Sequence, residues 1–78
     1  MLHTIIAVME MTHITLPEMM DYMDAISIVF PITLEIILPM DEPVQMEFLS
    51  EEAFNSWLAD TAGYVGSNGM RKTLARIV

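Results

Sequence analysis

The residues of this sequence that are best suited to binding or chemistry are its carboxylates. Eleven Asp and Glu side chains face three cations, giving a formal net charge of −8, and the three cations, Arg71, Lys72 and Arg76, all lie close to the C-terminus. A chain of this charge cannot neutralise phosphates, so we expect neither direct nucleic-acid binding nor attachment to an anionic membrane surface. Its field favours a basic protein surface as the partner. Excess acid also keeps a small apolar protein soluble, and this alternative stays open.

We predict that the partner-binding residues come from three short acidic groups. One group lies in a predicted helix, one in a predicted turn and one at the start of a second helix. Their members are Glu18, Asp21 and Asp24; Asp41 and Glu42; and Glu51 and Glu52. The competing interpretation of each group is a solvated surface with no partner.

Patterns for catalysis or metal binding are weak. His3 and His13 are far apart, and no His-x-x-His, His-Glu-x-x-His or Gly-x-Ser-x-Gly spacing occurs. Cysteine is absent, so thiolate ligands and disulfides are excluded. Residues 63–69 are rich in glycine, but they follow a predicted helix and lack the lysine of a phosphate-binding loop, so we interpret them as a flexible connector. The sequence therefore predicts a protein that is not an enzyme and holds no metal ion or cofactor.

The elements that position the acidic groups can be predicted from periodicity and capping. Residues 3–14 alternate in a manner typical of a strand with one buried face. Thr15 and Glu18 are spaced as a capping box, with Pro17 in the first turn of the helix that follows. Helical spacing then defines an apolar stripe of Leu16, Met19, Met20, Met23 and Ile26.

The residue pattern in the second half of the chain predicts a hairpin and another helix. Apolar residues fill every even position from Ile28 to Leu38, which indicates a long strand with Pro31 at an edge or a bulge. Residues 39–43 form a turn by composition, and residues 44–48 alternate as the third strand. Ser50 caps the second helix, which we expect to end at Gly63 or Gly66. Its buried stripe is Phe54, Trp57, Leu58, Thr61 and Val65, with Trp57 as the anchor to the sheet.

Residues 70–78 admit two interpretations, and these decide the fold. As a strand, they complete a small α+β sandwich of the ferredoxin-like βαββαβ type. As a helix, they leave a three-stranded antiparallel sheet with a C-terminal third helix. We favour the strand, because a long hydrophobic sheet gains from a fourth member. In either case residues 1–78 form a single domain.

Residues 47–58, Glu-Phe-Leu-Ser-Glu-Glu-Ala-Phe-Asn-Ser-Trp-Leu, resemble the strand-into-helix passage of an inhibitor of type I-F CRISPR surveillance complexes. The small, acidic, cysteine-free chain is likewise similar to the phage-encoded anti-CRISPR proteins. This resemblance implies a binding inhibitor, in some members a nucleic-acid mimic, that blocks a basic nucleic-acid-binding surface of a host CRISPR effector complex. The very hydrophobic first half departs from that pattern.

A second resemblance supplies the alternative function. The passage Ser-Glu-Glu-Ala-Phe at residues 50–54 is similar to the second helix of dimeric α/β-barrel proteins, among them small cofactor-free monooxygenases. It implies a ferredoxin-like homodimer that binds a small apolar ligand. The apolar content of 54% exceeds what one small core readily hides, and this favours such a dimer.

We expect a cytoplasmic location in the host cell. The longest apolar run, residues 25–40, contains Pro31, Glu35 and Pro39 and is shorter than the roughly 20 residues that a spanning helix needs. Residues 1–4 carry no basic side chain of the kind that opens a signal peptide, and Glu10 interrupts the apolar stretch behind them.

Overall fold

The computed structural model describes residues 12–78, which form six elements in the order β-α-β-β-α-β. The strands are β1 (Ile14–Thr15), β2 (Ile32–Ile37), β3 (Val44–Phe48) and β4 (Leu74–Ile77), and the helices are α1 (Leu16–Ala25) and α2 (Glu51–Lys72). The predicted α+β class and element order are confirmed, and the C-terminal segment is a strand rather than a third helix. Most of the strand predicted over residues 3–14, and His3 with it, lies outside the described residues.

The four strands form one antiparallel sheet in the order β1-β4-β2-β3. Helix α1 therefore joins two parallel strands, β1 and β2, with β4 between them. Helix α2 joins the parallel strands β3 and β4 with β2 between them. These are the interleaved split β-α-β units of the ferredoxin-like plan, in a variant whose interior strands are β2 and β4.

One face of the sheet carries the core, because strand pairing aligns its apolar residues. Ile32 lies opposite Phe48, and Leu34 lies opposite both Met46 and Ile77. The helices bury their apolar side chains against this face, and the buried cluster consists of Leu16, Met19, Tyr22, Met23, Ile32, Leu34, Ile36, Phe48, Phe54 and Ala75. The aromatic contact between β3 and α2 is edge to face, with the Phe48 and Phe54 ring centroids 5.1 Å apart.

Two details of the predicted first half are wrong. Strand β2 begins at Ile32 rather than Ile28, because Pro31 has no N–H to donate to a ladder and the pairing starts after it. Met20, predicted to be buried, is exposed, and Tyr22 takes part in the core instead. The buried stripe of α1 is thus centred between Met19 and Tyr22, which leaves Met20 at its margin.

The flexible connector predicted after α2 is wrong, whereas Gly66, one of the two glycines predicted to end the helix, does interrupt it. The helix runs on to Lys72, with one non-helical residue, Gly66, at a kink. Tertiary contacts overrule the low helical propensity of this stretch. The Thr73 hydroxyl is buried and donates to the Gly69 carbonyl at 2.8 Å, while the Leu16 N–H donates to the Thr73 carbonyl at 2.8 Å. The first bond closes the end of α2, and the second joins it to the start of α1.

Candidate partner-binding site

A cleft of about 470 Å³ opens between the C-terminal half of α1, the segment that follows it, and the first turn of α2. We call it the acidic cleft. Its apolar lining is Met20, Met23, Ile28, Phe30 and Phe54, and its polar lining is Asp21, Asp24, Ser27, Glu51 and Asn55. Among the described residues that line it, three are carboxylates and none is basic. The cleft therefore combines an apolar surface with negative charge.

The fold assembles this cleft from two of the predicted acidic groups. Asp21 and Asp24 come from α1, and Glu51 comes from the start of α2. Periodicity places Asp21 and Asp24 on the exposed side of α1, and the core contact of Phe54 brings the first turn of α2 beside them. Three of the seven predicted residues thus share one surface.

Glu18, in contrast, serves the start of its own helix. Its carboxylate accepts a hydrogen bond from the Thr15 hydroxyl at 2.6 Å and one from the Thr15 N–H at 3.3 Å, while Thr15 Oγ1 accepts from the Glu18 N–H. This is the predicted capping box, and it is confirmed. The hydrogen bond from the Thr15 side chain, with that from its backbone, holds the pKa of Glu18 below its ordinary value.

At the end of α1, a Schellman motif reverses the chain towards the cleft. The Ile28 N–H donates to the Met23 carbonyl at 3.0 Å, and the Ser27 N–H donates to the Asp24 carbonyl at 3.2 Å. Ser27 takes the left-handed conformation, with φ of 50°, at a position where glycine is the usual residue. The reversal carries Ile28 and Phe30 to the apolar side of the cleft.

Asp24 lies at the unfavourable end of α1. It belongs to the last turn of the helix, where the carbonyl groups give the macrodipole its negative end and a carboxylate is destabilising. The last turn of α1 holds no basic residue that would offset it. The stability of α1 therefore gives no reason for an acid at this position.

Asp41 and Glu42 line a second, smaller cavity of about 90 Å³, which lies beside β3. The other residues that line it are Ile36, Leu38, Val44, Met46 and Trp57. We call it the β3 cavity. Glu52, the last predicted residue, is exposed on α2 and lines neither the acidic cleft nor the β3 cavity.

A third polar group was missed from the sequence and lies on the face of the sheet away from the core. Glu35 Oε1 accepts hydrogen bonds from Arg76 Nε at 2.9 Å and from His13 Nε2 at 2.7 Å. The bond from Arg76, reinforced by His13, lowers the pKa of Glu35. The odd-numbered position of Glu35 in a strand with apolar even positions was the available signal. All three side chains are largely shielded from solvent, and their contacts join strands.

Comparison with known proteins places no further constraint on the site. No family model, curated protein or solved structure matches this chain. Within residues 12–78, no three His, Asp or Glu side chains are grouped so that they could hold a metal ion. The same part of the chain contains no helix that is long and apolar enough to cross a bilayer.

Proposed function

We propose that this protein is a small acidic binding inhibitor of the anti-CRISPR kind, encoded by a phage and active in the cytoplasm of the host cell. It blocks a basic nucleic-acid-binding surface of a host defence complex, and the acidic cleft is its main contact. The single observation that carries this proposal is the placement of Asp21, Asp24 and Glu51 around one open apolar surface.

The composition of the cleft fits the side chains that nucleic-acid-binding proteins present. Lysine and arginine carry a charged head on an apolar stem, and they bury the stem while the head stays at a polar rim. On the apolar side, the partly exposed ring of Phe30 offers aromatic surface to a cation, and the buried Phe54 ring supports it with a centroid 6.3 Å away. Carboxylates supply the charge-assisted hydrogen bonds that such heads make with phosphates in a nucleic-acid complex.

Two further observations support a binding role over a purely solubilising one. Acidic residues improve solubility wherever they lie on the surface. Asp24, however, lies at the end of α1, where a carboxylate lowers the stability of the helix. The formal net charge of −8 also speeds the approach to a basic surface by long-range attraction.

Capture from a lysate of the bacterial host tests the proposal when two matched variants are compared. Asp21→Asn/Asp24→Asn removes two charges from the cleft, and Glu52→Gln/Asp60→Asn removes two charges from exposed positions of α2 outside it. We expect the wild type and the α2 variant to retain the same basic nucleic-acid-binding protein, and the cleft variant to lose it. Equal capture by all three proteins would contradict the proposal.

The alternative function, a ferredoxin-like homodimer with a small apolar ligand, is supported by the volume of the same cleft. About 470 Å³ lies within the usual range of roughly 300–1,000 Å³ for small-molecule sites. Light scattering would then report a dimer, and an apolar compound would raise the Tm. A monomer whose Tm is unchanged by such compounds would exclude this alternative.

A further inference from the structure

The outer edge of β3 is a second candidate surface for a partner. Strand β3 pairs with β2 on one side, and no strand of the described part pairs with it on the other. An edge strand of this kind presents unpaired N–H and C=O groups in a row. Val44, Gln45 and Glu47 are exposed along it, so side chains from the core do not cover this edge.

The β3 cavity lies on the core face of the sheet next to the edge strand, between the β2–β3 hairpin and α2. Its volume is about 90 Å³. Val44 and Met46 belong to the edge strand itself, and Trp57 contributes from α2. Recognition by strand addition combines main-chain hydrogen bonds with pockets for alternate side chains, and both parts are present here.

The charges along this edge favour one occupant. Asp41 and Glu42 line the β3 cavity, and Glu47 projects from the strand on the opposite face of the sheet. A second copy of the chain would bring its own formal net charge of −8 to this acidic edge and would be repelled. A segment with lysine or arginine on one face is attracted by the same carboxylates.

We propose that β3 receives an extended basic segment of the partner as a fifth strand. A lysine or arginine of that segment places its apolar stem in the β3 cavity and its charged head beside Asp41 and Glu42. This inference rests on the proposed function for the basic character of the partner, but it concerns a surface separate from the acidic cleft.

Titration with a synthetic peptide, followed by amide NMR shifts, tests the inference without the natural partner. In the peptide acetyl-Thr-Val-Thr-Lys-Thr-Val-Thr-amide, Lys and both Val side chains lie on one face of the extended chain. We expect the largest shifts at residues 41–48. Replacing the lysine by norleucine should weaken binding about fivefold or more, because the stem is kept and the charge is lost. The N–H groups of an added strand alternate between those that bond to β3 and those that point away from it. N-methylation of the bonded set should therefore abolish binding, while N-methylation of the other set should not.

Protein variants provide the matched control. Asp41→Asn/Glu42→Gln should weaken peptide binding by about fivefold or more, and Glu52→Gln/Asp60→Asn should leave it unchanged. Strongest shifts at residues 20–28 and 51–55, equal binding of the norleucine peptide, or a dimer through β3 would each overturn the inference. Asp21→Asn/Asp24→Asn should bind the peptide normally, so loss of the captured partner and loss of peptide binding are separate outcomes.

Discussion

Arg76 lies directly opposite Glu35 on the neighbouring antiparallel strands β4 and β2, and its Nε donates to Glu35 Oε1 at 2.9 Å. His13, next to β1, donates to the same oxygen at 2.7 Å. One carboxylate thus links β2 to β4 and to the approach to β1, the shortest strand of the sheet. The pairing depends on the charge of Glu35, so it should depend on pH.

The lowered pKa of Glu35 fixes the direction of that dependence. Between its folded pKa and the ordinary value of 4.5, the carboxyl is charged in the folded chain and protonated in the unfolded chain. The unfolded state then binds more protons, so stability rises with pH across this window. The contribution of Glu35 is fully present above pH 4.5 and is lost as the pH falls towards its folded pKa. Glu35→Gln should flatten this part of the stability curve, measured by urea unfolding from pH 6 to pH 3. Glu47→Gln, on the neighbouring strand, serves as the control and should retain the slope.

Two glycines of α2 should respond to alanine in opposite directions. Gly66 has φ of 77° and ψ of 173°, a conformation that is essentially restricted to glycine, so Gly66→Ala should cost about 1–3 kcal/mol. Gly63 lies in the regular part of the helix, and an added Cβ would meet no atom within 4 Å. Gly63→Ala should therefore stabilise the protein by about 0.5–1 kcal/mol. Thermal unfolding of both variants measures the difference, and equal effects would argue against the kink.

The Tyr22 hydroxyl is a polar group that the core does not satisfy. Tyr22 is 8% exposed, and its oxygen is buried without a hydrogen-bond partner in the described part of the chain. A buried polar group without a partner costs about 1–3 kcal/mol, so Tyr22→Phe should be neutral or should stabilise the protein by about 1 kcal/mol. Urea unfolding checks this, and a clear loss of stability would reveal a hydrogen bond made by this hydroxyl.

The aromatic cluster assigns the main anchor of α2 to Phe54 rather than to Trp57. Phe54 is 4% exposed and packs against Phe30, Phe48 and Trp57, whereas Trp57 is only half-buried and also lines the β3 cavity. Phe54→Ala should cost about 3–5 kcal/mol and Trp57→Ala less. Chemical denaturation ranks the two variants. A larger loss for Trp57→Ala would restore the role that the sequence predicts for it.

The sequence predicts those elements whose local signals agree with their packing. The capping box at Thr15 and Glu18, the serine cap of α2 and the alternation in β3 all depend on neighbouring residues, and the structure contains each of them. The last part of α2, beyond the kink at Gly66, ends instead at Thr73, whose carbonyl accepts a hydrogen bond from the N–H of Leu16, a residue distant in the chain. Local propensity alone therefore ends this helix too early.

The candidate site follows the same division. Exposure of Asp21 and Asp24 can be predicted from the period of α1, but their proximity to Glu51 cannot, because it depends on how α2 packs. The separate location of Asp41 and Glu42 beside β3 likewise depends on strand order. Charge counts identify acidic residues, whereas only the fold divides them between the acidic cleft, the β3 edge and the cap of α1.

Competition with nucleic acid tests the central claim most directly. A labelled oligonucleotide bound to the captured partner should be displaced by the wild-type protein and by Glu52→Gln/Asp60→Asn at similar concentrations. Displacement by Asp21→Asn/Asp24→Asn should need a concentration at least about tenfold higher, a difference of roughly 1.4 kcal/mol, and the effect should weaken with added salt. A ternary complex of partner, oligonucleotide and this protein, or equal displacement by the cleft variant, would contradict the account.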